Sequence, residues 1–561
     1  MWLFSDISNN FKVNEEFSLI NFNGYQLYTN EEYQEIKTTE FHCIVIGAIW
    51  PRYKLQKNLN FDNWLSRLIS SSKDDFILSV KGDFTIFVSF SDKISILNDH
   101  HGFSPIYFQI EKKILSNDFN FLDELDKTFD ENSILESVLY NRVLGETTYN
   151  KYISNKGGSN KIEIINKNFI FTKYWKYEEL VKIKSSKKIE LDEITTFIEE
   201  NINFFFRYFN WKECFITLTG GKDCRSALAT LLKIGIQPKG LSYGNSLSKD
   251  VVYARKLANK LKLSSFNYCF NNNASDLNQI IAEIHNFSPM ISYHRAHRYY
   301  AFKSTEKTKA SNSVLFNGYL GGELLMGIYP DKLVFTDFVL KKLRNESKGF
   351  VEANNFLKKD FLKNKKNDFK EKEIKTPIDA IFKIGLLHHM QDIHLAKKEF
   401  NYIYSFFLDI DFLHVIFSSE YNFLCVKNES KNPFKRYNLY KLNCHIQYKL
   451  APDLHDIPFA KKGNYTLKQY QKGRIYWSIV KTLNYFFSRR KYPPNFEYGR
   501  NYVEWVLNQL TVINNEKHSK IHDYFDINNA ILHLKNTSKK NLSEKDLCSY
   551  TRILNFYNYL K

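Results

Sequence analysis

The stretch Phe215-Ile216-Thr217-Leu218-Thr219-Gly220-Gly221-Lys222-Asp223-Cys224-Arg225, followed by Ser226-Ala227-Leu228-Ala229-Thr230-Leu231-Leu232, admits few backbones. It reads as a short apolar strand, a Gly-Gly turn and the start of a helix. A hydroxyl residue and two glycines at a helix start let backbone N–H groups approach an anion closely, and the helix dipole adds to the attraction. Phosphate or pyrophosphate is the natural guest. The carboxylate of Asp223 repels phosphate, but it can hold the Mg²⁺ that rides on phosphate oxygens. The same residues also suit a plain strand-to-helix turn in which Asp223 is a first-turn capping residue.

Downstream of this stretch, strand and helix alternate. Strands are expected at Gly240–Tyr243, Phe266–Cys269 and Ser313–Phe316, and helices at Asp250–Leu261 and through Leu277, Ile280, Ile281 and Ile284. The strand at 313–316 runs into a second glycine turn. Such alternation predicts a doubly wound parallel sheet with its ligand at the carboxyl ends of the strands. Upstream, a helix with Leu191, Ile194, Phe197 and Ile198 spacing follows a basic run, Lys182–Lys188, that reads as a linker. Beyond Tyr329 the chain is mainly helical and basic, and Leu357–Lys375 is dense in charge of both signs.

The first 176 or so residues have a different texture. Short β-branched and aromatic runs, Cys43–Gly47, Phe76–Val80 and Phe84–Phe90, alternate with turn residues, most pointedly Asn98–Tyr107. Helical spacing is confined to Trp64–Ile69 and Ile134–Leu144. The expectation is an antiparallel β-rich domain over 1–180 and an α/β domain with a helical C-terminal part over 190–561.

Charge limits the partners. The excess of 79 Lys and Arg over 61 Asp and Glu suits acidic ligands such as ATP or nucleic acid, although a Lys- and Asn-rich composition throughout gives the same excess without a function. Seven cysteines, at 43, 214, 224, 269, 425, 444 and 548, show no paired short spacing, which argues against a disulfide framework or a zinc site. The start, Met1-Trp2-Leu3-Phe4, carries no export leader, and no run approaches the roughly eighteen apolar residues of a membrane span, so a cytoplasmic protein is expected.

In combination these features resemble the asparagine synthetase-like superfamily of ATP-pyrophosphatase amide ligases, which includes β-lactam synthetase and the lasso-peptide cyclases. Thr219–Cys224 is similar to the family's Ser-Gly-Gly-x-Asp-Ser loop, with Thr and Cys for the two Ser residues. Gly318-Tyr319-Leu320-Gly321-Gly322-Glu323-Leu324-Leu325-Met326-Gly327 is similar to its second loop, and Ser405–Asp409 and Leu450–Ala460 to later landmarks. In the first domain Gly82-Asp83-Phe84, Asp99 with Gly102, Pro105–Tyr107, Leu115–Asp118 and Tyr174-Trp175 fall in the order of the family's glutamine amidotransferase-like (Ntn-type) domain. The resemblance spans nearly the whole chain. It implies an Ntn-type first domain and an ATP-pyrophosphatase second domain.

One departure narrows the chemistry. Glutamine-hydrolysing members carry a Cys after the initiator Met, and here the residue is Trp2. An indole offers no nucleophile, so glutaminase activity is expected to be absent. The family's second-loop metal ligand is matched by Glu323, and a family Glu regarded as a base by Leu320, which cannot take a proton. Tyr319, one residue earlier, is a substitute donor or base, or a packing residue.

The resemblance implies an ATP- and Mg²⁺-dependent ligase, AMP-forming, that adenylates a carboxylate and passes it to an amine. Thr219, Gly220, Gly221, Lys222, Asp223, Cys224, Gly318, Gly321 and Gly322 would bind ATP and pyrophosphate, with Ser242, Tyr243 and Gly244 at the base and ribose, and Asp223 and Glu323 on the metal. Lys222 either adds charge at the loop or faces solvent, and Lys461 or Lys462 would meet the acyl-phosphate oxyanion. His294-Arg295-Ala296-His297-Arg298 is a substrate or nucleotide contact or a solvated helix face. The substrates are small-molecule, peptide or glycan precursors. The alternatives are a tRNA-modifying ATP pyrophosphatase sharing the Gly-Gly loop, and an inactive family member in which Thr219, Cys224, Leu320 and Glu323 mark drift.

Overall fold

The computed structural model describes residues 1–6, 16–56, 63–140, 142–183, 189–244, 246–268, 274–305, 312–326, 376–422, 424, 437–460, 464–487, 500–516, 518–523, 525–538 and 544–561. The chain forms two compact units. One comprises Met1–Glu136, Val143–Lys182 and Asn286–Met290, the other Ser137–Arg142, Ile183–His285 and Ile291–Lys561. The short exchanged segments, 137–142 and 286–290, have no signal in the sequence pattern.

The first unit holds two six-stranded antiparallel sheets. Trp2–Asp6, Ser18–Phe22, Tyr25–Thr29, Tyr107–Gln109, Ile114–Ser116 and Ile153–Asn155 form one; Tyr33–Lys37, His42–Pro51, Val80–Ser89, Ile94–Asn98, Asn160–Ile165 and Asn168–Lys173 form the other. Residues two apart on a strand share a face. Trp2 and Phe4, Ile20 and Phe22, and Tyr25 and Leu27 therefore meet Ile44 and Ile46, Ile94 and Ile96, and Ile162 and Ile164 in one buried cluster. The turn motifs serve this fold. Asp99 accepts from the main-chain N–H groups of His101, Gly102, Phe103 and Ser104 at 2.8–3.1 Å, and Ser104 Oγ donates to Asp83 at 2.7 Å. Gly102 is required there, because a Cβ would lie 2.7 Å from Gly158 N.

Two expectations for this unit change. Phe76–Ser79 belongs to the 3₁₀ segment Lys73–Ser79, and the strand begins at Val80. Phe76 and Ile77 are both buried while Leu78 is exposed, so the alternation that a strand needs is missing. The helices Trp64–Ser72 and Glu131–Tyr140 stand where spacing predicts them, but Phe119–Leu125, capped by Asp118 onto Phe121 N, and Glu178–Lys182 are additional.

The second unit contains a five-stranded parallel sheet whose order, counted along the chain, is 3-2-1-4-5. Glu213–Thr217 is central, with Lys239–Tyr243 and then Ser265–Tyr268 on one side, Ser313–Asn317 and then Tyr402–Ser405 on the other. Cys214, Phe215, Ile216 and Leu218 are all buried, as a strand covered on both faces demands. The edge strand Tyr402–Ser405 is not among the strands that the sequence predicts. Cys269, Leu357–Lys375 and most of the Lys182–Lys188 linker lie outside the described residues. Among the described residues no helix is long and apolar enough to cross a membrane.

Trp2 is fully buried. Its ring meets Phe87 edge-on at 5.1 Å, its main-chain N–H donates to Asn117 Oδ1 at 2.8 Å, and its carbonyl accepts from Ser116 Oγ at 2.7 Å. Position 2 is thus a core position between the two sheets. Trp2→Ala is expected to lower the stability of the first unit by about 3–5 kcal/mol, read as an earlier urea transition followed by near-ultraviolet circular dichroism.

Candidate functional site

Order 3-2-1-4-5 places a crevice where connections leave the central strand Glu213–Thr217 and its neighbour Ser313–Asn317 on opposite sides. The two glycine turns are the exits of these two strands. Residues 218–222 lead into the helix Asp223–Lys233, and 318–320 into Gly321–Met326.

The two turns close on one carboxylate. A Cβ on Gly318 would lie 2.8 Å from Asp223 C and Cys224 N, and a Cβ on Gly321 would lie 2.8 Å from Asp223 Cγ and 2.6 Å from the Phe407 ring. Real Cβ atoms do not approach so closely, so both positions exclude any side chain. Gly220 is constrained in the same way by Ala460, whose Cβ would stand 2.1 Å away and whose N–H donates to Gly220 O at 3.0 Å. Asn443 Nδ2 donates to Asp223 Oδ1 at 2.9 Å and orients the carboxylate, while Asn443 Oδ1 accepts from Ser226 Oγ at 2.7 Å. Gln447, one turn along the helix Lys441–Leu450, donates to Lys222 O at 2.9 Å.

The N-cap residue Lys222 makes no side-chain capping hydrogen bond to the helix Asp223–Lys233, which begins at this turn. Thr219, Gly221 and Asp223 keep partial exposure between buried neighbours and line the opening. Thr219 Oγ1 accepts from Gly221 N at 3.1 Å and lies 3.3 Å from Cys224 Sγ. Thr219 and Cys224 are therefore contact partners. Burial raises the Cys224 thiol above its ordinary range, so it packs as a neutral group.

The Lys222 side chain is neither solvated nor spread along the turn. Its ammonium sits 4.1 Å from the Tyr440 ring centroid, 4.7 Å from Phe459 and 5.2 Å from Tyr465, and the residue is 4% exposed. Lys222 serves the turn through its main chain. Arg225, fully buried, donates to Ile457 O at 2.9 Å and Pro458 O at 2.7 Å, and burial lowers its guanidinium to about 10. Together Arg225 and Gly220 dock Ile457–Ala460 on the first turn. Lys461 and Lys462 follow directly and lie outside the described residues.

Asp223 and Glu323, both partly exposed, stand on the two converging turns. Two carboxylates suit Mg²⁺, which binds through one or two protein carboxylates and takes its other ligands from phosphate and water. Among the described residues no group of three or more His, Cys, Asp or Glu side chains is arranged to hold a metal. Ser242, Tyr243 and Gly244 close the neighbouring strand, with Gly244 at φ +111°.

Tyr319 stacks on His389 at 4.5 Å, and its phenol is held well above its ordinary range by burial and then by Asp392. At neutral pH it is therefore a donor and cannot serve as a base. The His294–Arg298 segment is buried, not a solvated face. Asp392 Oδ2 accepts from Arg295 at 3.0 Å and from Arg298, whose guanidinium lies 5.3 Å over the Tyr243 ring. Burial, with neighbouring arginines adding, holds His294 and His388 well below the ordinary histidine range, and burial lowers His389 to about 3.

Sequence reasoning missed Asn443, Gln447, Asp392, His388 and His389. The i, i+4 pair Asn443/Gln447 and the run His388-His389-x-x-Asp392 are helical spacings that mark one face each. No protein-family model matches the chain, and no curated protein matches it.

Gly321→Ala is expected to cost about 1–3 kcal/mol through overpacking against Phe407 and Asp223, measured as a shift in urea midpoint. The histidines give a pH signature. Their folded pKa values lie below the unfolded one, so the stability they confer is complete above the ordinary histidine pKa and is lost as pH falls toward the folded values, for His389 about 3. Denaturant titrations from about pH 7.5 down to about pH 5.5 should show stability falling by up to ~1.4 kcal/mol per pH unit per histidine, with His389→Gln removing one share of that slope.

Proposed function

We propose that the chain is an ATP-dependent, AMP-forming amide ligase of the asparagine synthetase-like kind, working without glutamine hydrolysis. The observation that carries this reading is the convergence of two strand-end glycine turns on Asp223 at the switch point of a parallel sheet, with no space for a Cβ at Gly318 or Gly321. Such a crevice, with a helix N-terminus behind it, suits a polyphosphate. On this reading the first unit is a degenerate Ntn-type domain and the second an ATP-pyrophosphatase domain.

In the proposed reaction a substrate carboxylate oxygen attacks the α-phosphorus of ATP and the bond to the β-phosphate oxygen breaks. An amine then attacks the acyl carbon, loses its proton and releases AMP. Main-chain N–H groups of the Thr219–Lys222 turn other than that of Gly221, which donates to Thr219 Oγ1, would receive the pyrophosphate, whose charge the helix dipole partly offsets. Asp223 and Glu323 would hold Mg²⁺, which neutralises phosphate charge when bound. Asn443 fixes the rotamer of Asp223. Tyr319, protonated, can donate to an oxygen on the substrate side, and Ser242 to Gly244 border the nucleoside. Lys461 and Lys462 remain the candidates for the acyl-phosphate oxyanion by position in the sequence.

The contact between Thr219 and Cys224 speaks against drift. Both positions keep small polar side chains, 3.3 Å apart. Burial of Trp2 supports an amine taken from the substrate or from free ammonia. Pyrophosphate release measured with ATP, Mg²⁺ and panels of carboxylates and amines is expected to be carboxylate-dependent. Asp223→Ala should reduce it at least about 100-fold, while Glu323→Gln should raise the Mg²⁺ requirement. Undiminished turnover in Asp223→Ala, or no ATP binding by calorimetry with Mg²⁺ present, would overturn the assignment.

A further inference from the structure

The helix Arg474–Phe487 turns an apolar face outward. At about 100° per residue, Ile475, Tyr476, Ile479, Leu483, Phe486 and Phe487 fall within one arc of roughly 120°. Their exposures are 69, 40, 50, 49, 74 and 74%. The opposite side carries Trp477 and Ser478, both buried, and Trp477 lies among Tyr437, Tyr440, Tyr465 and Tyr470 at 5.3–6.0 Å. This aromatic cluster accounts for the buried side, and a surface helix ordinarily turns polar residues outward. Single exposed apolar residues need no explanation, but six sharing one arc mark an interaction face.

The charge of this part of the sequence selects the occupant. Between Asp456 and Glu497 the sequence has no acidic residue and nine basic ones: Lys461, Lys462, Lys468, Lys472, Arg474, Lys481, Arg489, Arg490 and Lys491. In the structure Lys472 and Arg474 are exposed at the start of the helix, with the Lys472 ammonium 4.8 Å from the Tyr476 ring. A second copy of the chain would bring the same positive charge face to face. An apolar arc in so basic a stretch fits a surface that offers acyl chains beneath anionic headgroups. Fourteen residues span about 21 Å at 1.5 Å each, short of the roughly 30 Å hydrocarbon core, so the helix would lie on a bilayer and not cross it.

We propose that Arg474–Phe487 is a membrane-surface helix that docks the protein on anionic phospholipid, Ile475, Ile479, Leu483, Phe486 and Phe487 entering the interface and Lys472, whose ammonium lies by Tyr476 on the same face, meeting the headgroups. None of the residues on the outward face belongs to the crevice at Asp223, and the inference does not depend on the reaction assigned there.

Co-sedimentation of the full chain with vesicles tests it. Binding to equimolar phosphatidylcholine and phosphatidylglycerol should exceed binding to phosphatidylcholine alone by about tenfold. Phe486→Ser with Phe487→Ser should weaken it about tenfold or more, and Ile475→Ser with Ile479→Ser should do the same at the other end of the face. Leu532→Ser, an exposed leucine on another helix, should leave it unchanged, and all variants should keep the parent unfolding midpoint. The proposal is overturned by failure to sediment with the anionic vesicles, or by unchanged binding in both double variants. It is also overturned if light scattering shows a dimer that these variants abolish without any vesicle binding. Binding of soluble polyglutamate as tight as that of vesicles, and lost in the same variants, would transfer the face to an acidic protein partner.

Discussion

The candidate crevice rests on the absence of side chains. Gly220, Gly318 and Gly321 each stand where a single added carbon would enter the space of Ala460, of the Asp223 and Cys224 backbone, or of Phe407 and the Asp223 carboxyl. With hydrogen at these three positions, three chain segments far apart in sequence gather around one acidic residue. With any larger group at least one of them must retreat. The parallel sheet supplies the other half of the constraint, because Glu213–Thr217 and Ser313–Asn317 pair residue for residue and so end side by side.

Electrostatics reinforce the geometry. Lys222 and Arg225 are buried cations at the start of a helix whose dipole already makes that end positive. Aromatic faces surround the ammonium, and the carbonyls of Ile457 and Pro458 hold the guanidinium. Rings and carbonyls stabilise a cation while carrying no net charge, so these contacts leave the positive sign of the helix start in place. Asp223, on the same turn, is the acidic residue set against it. A few ångströms of chain thus combine attraction for an anion with one well-oriented carboxylate.

Much of this was legible in the sequence where short-range chemistry decides. The apolar run Phe215–Leu218, the glycine pair and the alternation downstream give the strand, turn, helix and sheet type, because each depends on neighbours a few residues away. The edge strand Tyr402–Ser405 was not legible. It has four residues, two of them tyrosine, and becomes a strand by pairing with Ser313–Asn317. Asn443 was hidden for a similar reason, since its partner Asp223 is 220 positions away. Lys222 misled because a lysine beside two glycines suggests solvent or phosphate, whereas the rings that enclose it come from a distant part of the chain. Trp2 offers no nucleophile in the sequence, and its place in the core shows what the indole does.

The ring enclosure of Lys222 bears on fidelity. On the proposed reading an activated acyl group forms beside the turn, and a lysine on that turn would be the nearest amine to capture it. With its nitrogen shut among Tyr440, Phe459 and Tyr465, Lys222 would on that reading be kept from competing with the acceptor. Held there, it gives the turn a cation whose amine is enclosed by rings.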